Sequence, residues 1–356
     1  MLLFIAKLSL GQAPKYSNEF MSIGVGARAL GMSNSVVASV NDGTAGYWNP
    51  AGLVKAAGNI QINLMHSEYF AGIAKYDYGS LAAPIDATST IGLSFIRFAV
   101  DDIPDTSELI DANGDINYDR VRSFTAADYA FIFSYSKKSK IEGLTYGANA
   151  KVIHRVVGPF ATAWGFGLDL GLQYQKGNWR YGVFARDITT TYNAWNFTYT
   201  DALKETFLKT NNPLPENSLE ITLPKVIPGI GYKKTIKGKF TALGEVNFDV
   251  TFDGKRNVLI QSNLISIDPH AGIELGYDNF IFLRAGIGNI QQIKDFDSKQ
   301  ITIVQPNMGI GIKLKNLTID YALTNLGQQS QGSLYSNVFS LRLDIFKQSS
   351  IKPPSQ

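Results

Sequence analysis

Apolar and polar residues alternate with a period of two through most of the chain beyond residue 58. Trp164, Phe166, Leu168, Leu170, Leu172 and Tyr174 fall on one parity, and Gly165, Gly167, Asp169, Gly171 and Gln173 on the other. Successive side chains of a strand point to opposite faces, so this rhythm predicts a long strand. Ala127, Tyr129, Phe131, Phe133 and Tyr135 share a face in the same way. So do Tyr146, Ala148, Ala150 and Val152, against Thr145, Gly147, Asn149 and Lys151. Earlier runs carry Ile60, Ile62 and Leu64, then Ala74, Tyr76 and Tyr78, then Ile91, Leu93 and Phe95 on the apolar face. Later ones begin at Trp179, Leu219, Ala242, Ala271, Ile281, Met308, Leu317 and Phe339. The pattern predicts about 14 strands, an even number.

The other face separates the barrel types. It is built from glycine, charge and amide, with Lys151, Asp169, Glu245, Glu274, Arg284 and Asp320 among its members. These six are predicted to point into a lumen as satisfied polar pairs. Strands of about ten residues suit a tilted bilayer crossing and are long for a soluble sandwich. Tyr135, Trp164, Tyr174, Trp179, Tyr277 and Tyr321 sit near strand ends, where an interfacial aromatic girdle belongs. Connections after even strands are short, as at Ala83–Ala87 and Asp278–Asn279. Those after odd strands are mostly long: Val100–Thr125, Ile188–Asn217, Thr251–Asp268 and Asn289–Gln300. Sorting of loops by parity predicts short periplasmic turns, long outer loops and a periplasmic N-terminus.

The stretch Asn18–Leu53 follows neither rhythm. Gly24, Gly26, Gly31, Gly43, Gly46 and Gly52 interrupt it among small residues. Such a segment folds tightly only inside a wall, which predicts a hatch in the lumen. Its Gly24-Val25-Gly26-Ala27-Arg28-Ala29 fits the dinucleotide fingerprint, but no strand precedes it and no crossover helix follows, so that reading is set aside. Leu2–Leu10 followed by Gly11-Gln12-Ala13 reads as a clipped export signal, with a buried first strand as the alternative.

Composition removes several functions. The net charge of +3 and the lack of a basic, aromatic-interleaved patch exclude a nucleic-acid partner. The absence of cysteine excludes disulfides, thiolate metal sites and thiol nucleophiles. Charged residues make up only 18% of the chain, yet mean hydropathy is −0.04, the balance expected of alternating faces. His66, His154 and His270 have neither metal spacing nor a triad context, so no enzyme is expected. Asp111, Asn113, Asp115 and Asp119 space oxygen ligands as the first half of a calcium loop does. Arg122 stands where the bidentate glutamate belongs, and ordinary loop Asp and Asn are the alternative. No other cofactor is expected. Pro224 and Pro228 interrupt the eighth strand. They predict either a kink with a sideways opening or a rim where pairing has ended.

The block Gly26-Ala27-Arg28-Ala29-Leu30-Gly31-Met32, followed by Asn49-Pro50-Ala51-Gly52, resembles the PorV/PorQ group of Bacteroidetes outer-membrane proteins, relatives of the FadL fatty-acid transporters. The resemblance implies an all-β, transmembrane antiparallel barrel of about 14 strands with an N-terminal hatch. It makes Gly26, Ala27, Arg28, Gly31, Asn49, Pro50, Ala51 and Gly52 hatch residues. The implied layout is a signal remnant at 1–13, a hatch at 14–58, a barrel at 59–347 and a tail at 348–356. The implied setting is the lipid of a Gram-negative outer membrane of the Bacteroidetes type. Two functions follow. In a PorV-like protein the barrel serves type IX secretion, binding the translocon, cargo or surface-attachment proteins. In a FadL-like one it transports hydrophobic small molecules, past a hatch and through a lateral gap. The mostly polar inward faces favour the first. Phe197, Phe207 and Leu208 in a long loop could supply an apolar outer site for the second.

Overall fold

The computed structural model describes residues 17–110, 114–294, 299–325 and 335–347. The expected signal remnant at 1–13 and the tail at 348–356 lie outside them. Strands β1 (Ile60–Tyr69), β2 (Ala74–Pro84), β3 (Ser89–Asp105), β4 (Arg122–Lys138), β5 (Leu144–Val157), β6 (Ala161–Lys176) and β7 (Trp179–Arg186) follow one another as antiparallel neighbours. β8 (Thr191–Phe197) continues β7 along the far half of β6. β9 (Ser218–Thr222) pairs with β8, and β10 (Lys225–Ile236) with β7, so these two also form one stave. After β11 (Phe240–Thr251) comes the two-residue β12 (Ile260–Gln261), a lip on an outer loop. The sheet goes on through β13 (Ser266–Tyr277), β14 (Ile281–Lys294), β15 (Gln300–Leu314), β16 (Leu317–Asn325) and β17 (Tyr335–Ile345). β17 pairs with β1 from Ile60↔Ile345 to Glu68↔Asn337 and closes the ring. The result is a closed antiparallel barrel of 14 staves, as the alternation predicts.

The two faces separate as expected around most of the ring. Phe133, Trp164 and Leu283 are each more than half exposed on the outside, within a continuous apolar band. Water tolerates no such band on a monomer, and lipid does. Lys151, Asp169, Glu245, Glu274, Arg284 and Asp320 are all buried inside. The main hydrophobic core lies in the lumen, between hatch and wall, and not between two layers.

The pattern misleads at β2. Ala74, Tyr76 and Tyr78, read as the outward apolar face, point inward and are buried, while Lys75 and Asp77 face out. The cause is the hatch. Tyr47, Met21 and Val25 bring apolar surface to this side of the bore, and Tyr69, Tyr76, Tyr78 and Ile96 of β1–β3 receive it. Burial against the plug outweighs the alternation rule there. The staves are also longer than expected on the outer side. β3 and β4 run well into the stretch Val100–Thr125, and β8 lies inside Ile188–Asn217.

Candidate functional site

The hatch occupies the bore as a chain of short turns. A 3-10 turn (Glu19–Ser22) leads to α1 (Ala27–Gly31), then α2 (Ala45–Trp48), then a second 3-10 turn (Pro50–Lys55). No piece is long enough to be stable alone. Each is held by wall side chains that reach its backbone, which has few partners of its own.

Arg28, on α1, is the first anchor. Its Nε donates to Glu274 Oε2 at 2.8 Å, and Arg284 Nε donates to the same oxygen at 2.7 Å. Arg284 Nη1 continues to Asp320 Oδ1 at 2.7 Å. Burial alone would lower the Arg28 pKa. The Glu274 carboxylate more than offsets this and holds the guanidinium above its ordinary value. Two arginines and two carboxylates thus form a balanced buried network, which breaks expensively if one member goes. Gly26 caps α1 at φ 81°, and the Ala27 amide donates to Ser340 Oγ at 3.0 Å. Gly31 lies against the backbone of Gly309 on β15, and a Cβ there would come within 3.0 Å of the Gly309 Cα.

Asn49 is the second anchor and is fully buried. Its Oδ1 accepts from the Ala51 amide at 3.2 Å and so caps the turn that Pro50 starts. Its Nδ2 donates to Val37 O at 2.9 Å and Leu172 O at 3.0 Å, tying two hatch segments to β6. Only an amide accepts and donates in this way, which explains Asn at the head of the Asn-Pro-Ala-Gly run. Gly147 and Gly171 leave the wall bare where Pro50 and Ala51 press on it. Gly52 faces the Val40 carbonyl at a distance no Cβ would tolerate. Lys55 donates to Gln173 Oε1 at 2.9 Å, and burial, then Arg180, lowers its pKa to about 8.

Among the described residues the ladder stops short on the outer side between β13 and β14, beyond Ala271↔Ile287, and is interrupted beside β6. Between Phe166↔Tyr192 and Leu170↔Ala185, three residues of β6 face six of the next stave, 186–191. On the other side, residues 187–190 face only Leu223 and Pro224, between Arg186↔Lys225 and Thr191↔Thr222. Asp187 and Thr190 take left-handed φ angles to make the bulge. Lys151 Nζ sits beneath it, 2.7 Å from Asp169 and 2.5 Å from Asp187. Pro224 therefore lies in the break between β9 and β10, whereas Pro228 stays inside β10 opposite Val183.

A cavity of about 750 Å³ lies on the outer side of the hatch and reaches the Arg186↔Lys225 pair at the margin of this break. Arg186, Lys225 and Ile227 line it from the ends of the broken staves, and Ile23, Tyr47 and Trp48 from the hatch. Asp249, Asp268, His270, Asn289 and Gln305 line the opposite side. Sequence reasoning missed this polar side, because β11 and β13 meet it only after folding. His270 Nδ1 lies 2.9 Å from Ser35 Oγ, and its Nε2 lies 3.4 Å from Asp249 Oδ1. The order is that of a hydrolase triad, but Ser35 has no exposed surface from which to attack a substrate. The three residues tie hatch to wall. His66 and His154 are on the outer face, beside Asp77 and stacked on Trp164 respectively.

Of the expected calcium ligands, Asp111 and Asn113 lie outside the described residues, and Asp115 and Asp119 are exposed in the outer loop. Phe197 ends β8, and Phe207 and Leu208 belong to α3 (Asp201–Lys209) in the long outer loop, with Leu208 exposed.

The closed 14-stave antiparallel barrel defines the class, and solved structures share that fold. The CymD monoaromatic hydrocarbon channel superposes with a TM-score of 0.58 at 14% identity, covering 92% of this chain and 99% of that one. The Pseudomonas putida toluene transporter TodX gives 0.54 at 14% identity, covering 90% and 96%. A Pseudomonas aeruginosa FadL homologue gives 0.51 at 13% identity, covering 89% and 97%. The fold is FadL-like. No family model and no curated protein matches the chain.

Proposed function

We propose that this chain is a FadL-like conduit for hydrophobic small molecules in a Gram-negative outer membrane, with sideways release through the wall. One observation carries the reading. The cavity outside the hatch reaches the edge of the break, since Arg186 and Lys225, which line it, are the last pair of the β7–β10 ladder before the break. The likeness to hydrocarbon channels and transporters supports the same reading. The test is uptake of a fluorescent naphthylamine into asymmetric vesicles with lipopolysaccharide in the outer leaflet. The conduit reading expects uptake above that of protein-free vesicles; equal rates would refute it.

The second reading is a PorV/PorQ-type accessory of type IX secretion or surface attachment, in a Bacteroidetes-type outer membrane. It is favoured by the plug itself, which Arg28 and Asn49 fix to the wall through the residues that carry the resemblance. On this reading the barrel works by binding translocon or cargo at its rim. Purification from the native membrane in mild detergent separates the two: a stoichiometric translocon or surface protein supports the accessory, and bound small molecules alone support the conduit. A structural calcium in the loop 111–119 is a separate proposal, tested by calcium-dependent protection of that loop from proteolysis.

A further inference from the structure

The apolar band that runs around most of the ring stops short on β1–β3. His66 and Glu68 of β1, Lys75 and Asp77 of β2, and Arg97 and Asp101 of β3 face out there. On other staves, the outward positions as far from the periplasmic end as His66 are Leu170, Ile287 and Met308, each at least half exposed. The charges therefore stand at a height where the rest of the ring meets lipid. Nor do they mark the water edge, because the hairpin tip beyond them carries Phe70 and Ile73, both more than half exposed. Inward tyrosines explain the parity of β2, not the charge on its other face. The six side chains form a network: His66 Nδ1 lies 2.7 Å from Asp77 Oδ1, Arg97 Nη1 3.5 Å from Asp77 Oδ2, and Lys75 Nζ 3.1 Å from Asp101 Oδ2. Even so, the side chains of His66 and Glu68 stay more than half exposed. Ionisable groups left open to lipid are costly, so this network calls for a polar cover.

A groove of about 400 Å³ adjoins it on the periplasmic side. Gly79 floors the groove, Leu64, Phe95, Phe339 and Leu341 wall it, and His66 and Asp77 close its outer end. The residues across the β1–β2 seam complement one another in order: Glu68 stands opposite Lys75, His66 opposite Asp77, and Leu64 opposite the bare Gly79. A two-fold axis along the membrane normal at this seam sets each residue against its opposite number on a second copy, acid to base and leucine to groove.

We propose that this face is the interface of a homodimer within the membrane, with two copies meeting along the β1–β2 seam. Leu64 of each copy fills the groove at Gly79 of the other, and the exposed sides of His66 and Glu68 meet Asp77 and Lys75 across the axis. A lipid chain would fill the groove and leave the charges in hydrocarbon. The pairing goes beyond both functional readings and holds for either.

The test is disulfide trapping of single-cysteine variants of this cysteine-free chain, in vesicles with lipid in large excess. Leu64→Cys lies beside the axis and is expected to give a reductant-sensitive dimer in most of the protein. Leu275→Cys, equally exposed on β13 away from the seam, is expected to give only the yield of random collision. Adding Asp77→Arg to Leu64→Cys sets like charges across the axis and is expected to cut trapping about tenfold or more. Heat-modifiable gel mobility reports that each variant barrel is folded. Should Asp77→Arg not fold, Gly79→Trp fills the groove and is expected to cut trapping likewise. Equal trapping at Leu64→Cys and Leu275→Cys, or trapping unchanged by a folded second substitution, would overturn the proposal. Lipid retained on an untrapped monomer would assign the groove to lipid and overturn it too.

Discussion

Arg28 of the hatch and Arg284 of the wall donate to one and the same atom, Glu274 Oε2, at 2.8 and 2.7 Å. The plug is thus held by a charge that the wall already neutralises. Arg28→Met removes the hatch's share and leaves Glu274 paired with Arg284 alone. The expected cost is about 3 kcal/mol, the lower end of that for breaking a buried pair. The hatch should loosen before the barrel unfolds. Planar-bilayer recordings should show a larger and noisier ion conductance, and urea should expose the first described residues to protease earlier than in the parent.

Asn49 gives a sharper test, because one atom distinguishes the variants. Asn49→Asp keeps the oxygen that caps the Pro50 turn but loses both donations, to Val37 O and Leu172 O. It also places a carboxylate where there is no exposed surface. The expected loss is about 3 kcal/mol or more. It is read as a lower urea midpoint of Trp48 fluorescence, with the wall's strand signal by circular dichroism retained.

The barrel was legible in the sequence because lipid on one side and a polar bore on the other impose a period of two, and this survives in Ala161–Lys176 almost unbroken. It failed at Tyr76 and Tyr78, where the bore is not polar but filled by Tyr47 and its neighbours. No local rule reports that, since the plug lies about thirty residues away in sequence. The hatch motif was legible as small residues, and its glycines do meet the wall closely, as Gly31 does Gly309. The cavity was not legible. Asp249 and Asp268 lie at the two ends of the long connection Thr251–Asp268, and only the ladder sets them opposite each other.

Lys55 makes docking of the hatch depend on pH. Its pKa falls from 10.5 to about 8 in the folded protein, through burial and then Arg180. Released or unfolded chain keeps this proton up to 10.5, so it binds more protons than the docked state between the two values. Stability therefore rises with pH across that window and is flat below about 8 on this account. Urea midpoints of the parent should climb from pH 8 to pH 10.5 relative to those of Lys55→Met.

The outward band makes a depth-dependent prediction. Phe133→Lys puts a cation in the middle of the apolar face of β4 and should cost about 2–4 kcal/mol when the protein unfolds from lipid vesicles. Ile141→Lys, in the exposed turn after β4, should cost within about 0.5 kcal/mol. Equal costs would mean that Phe133 does not face lipid.

On the conduit reading, cargo leaves through the broken stave. Thr191 and Thr222 face each other directly at the outer margin of the break, and the chain has no cysteine of its own. Uptake by the double variant Thr191→Cys/Thr222→Cys, in the lipopolysaccharide vesicles described above, is the most direct measurement. Uptake that is lost on oxidation and restored by reductant is the predicted result. Uptake that proceeds undiminished through the cross-linked wall would contradict the account.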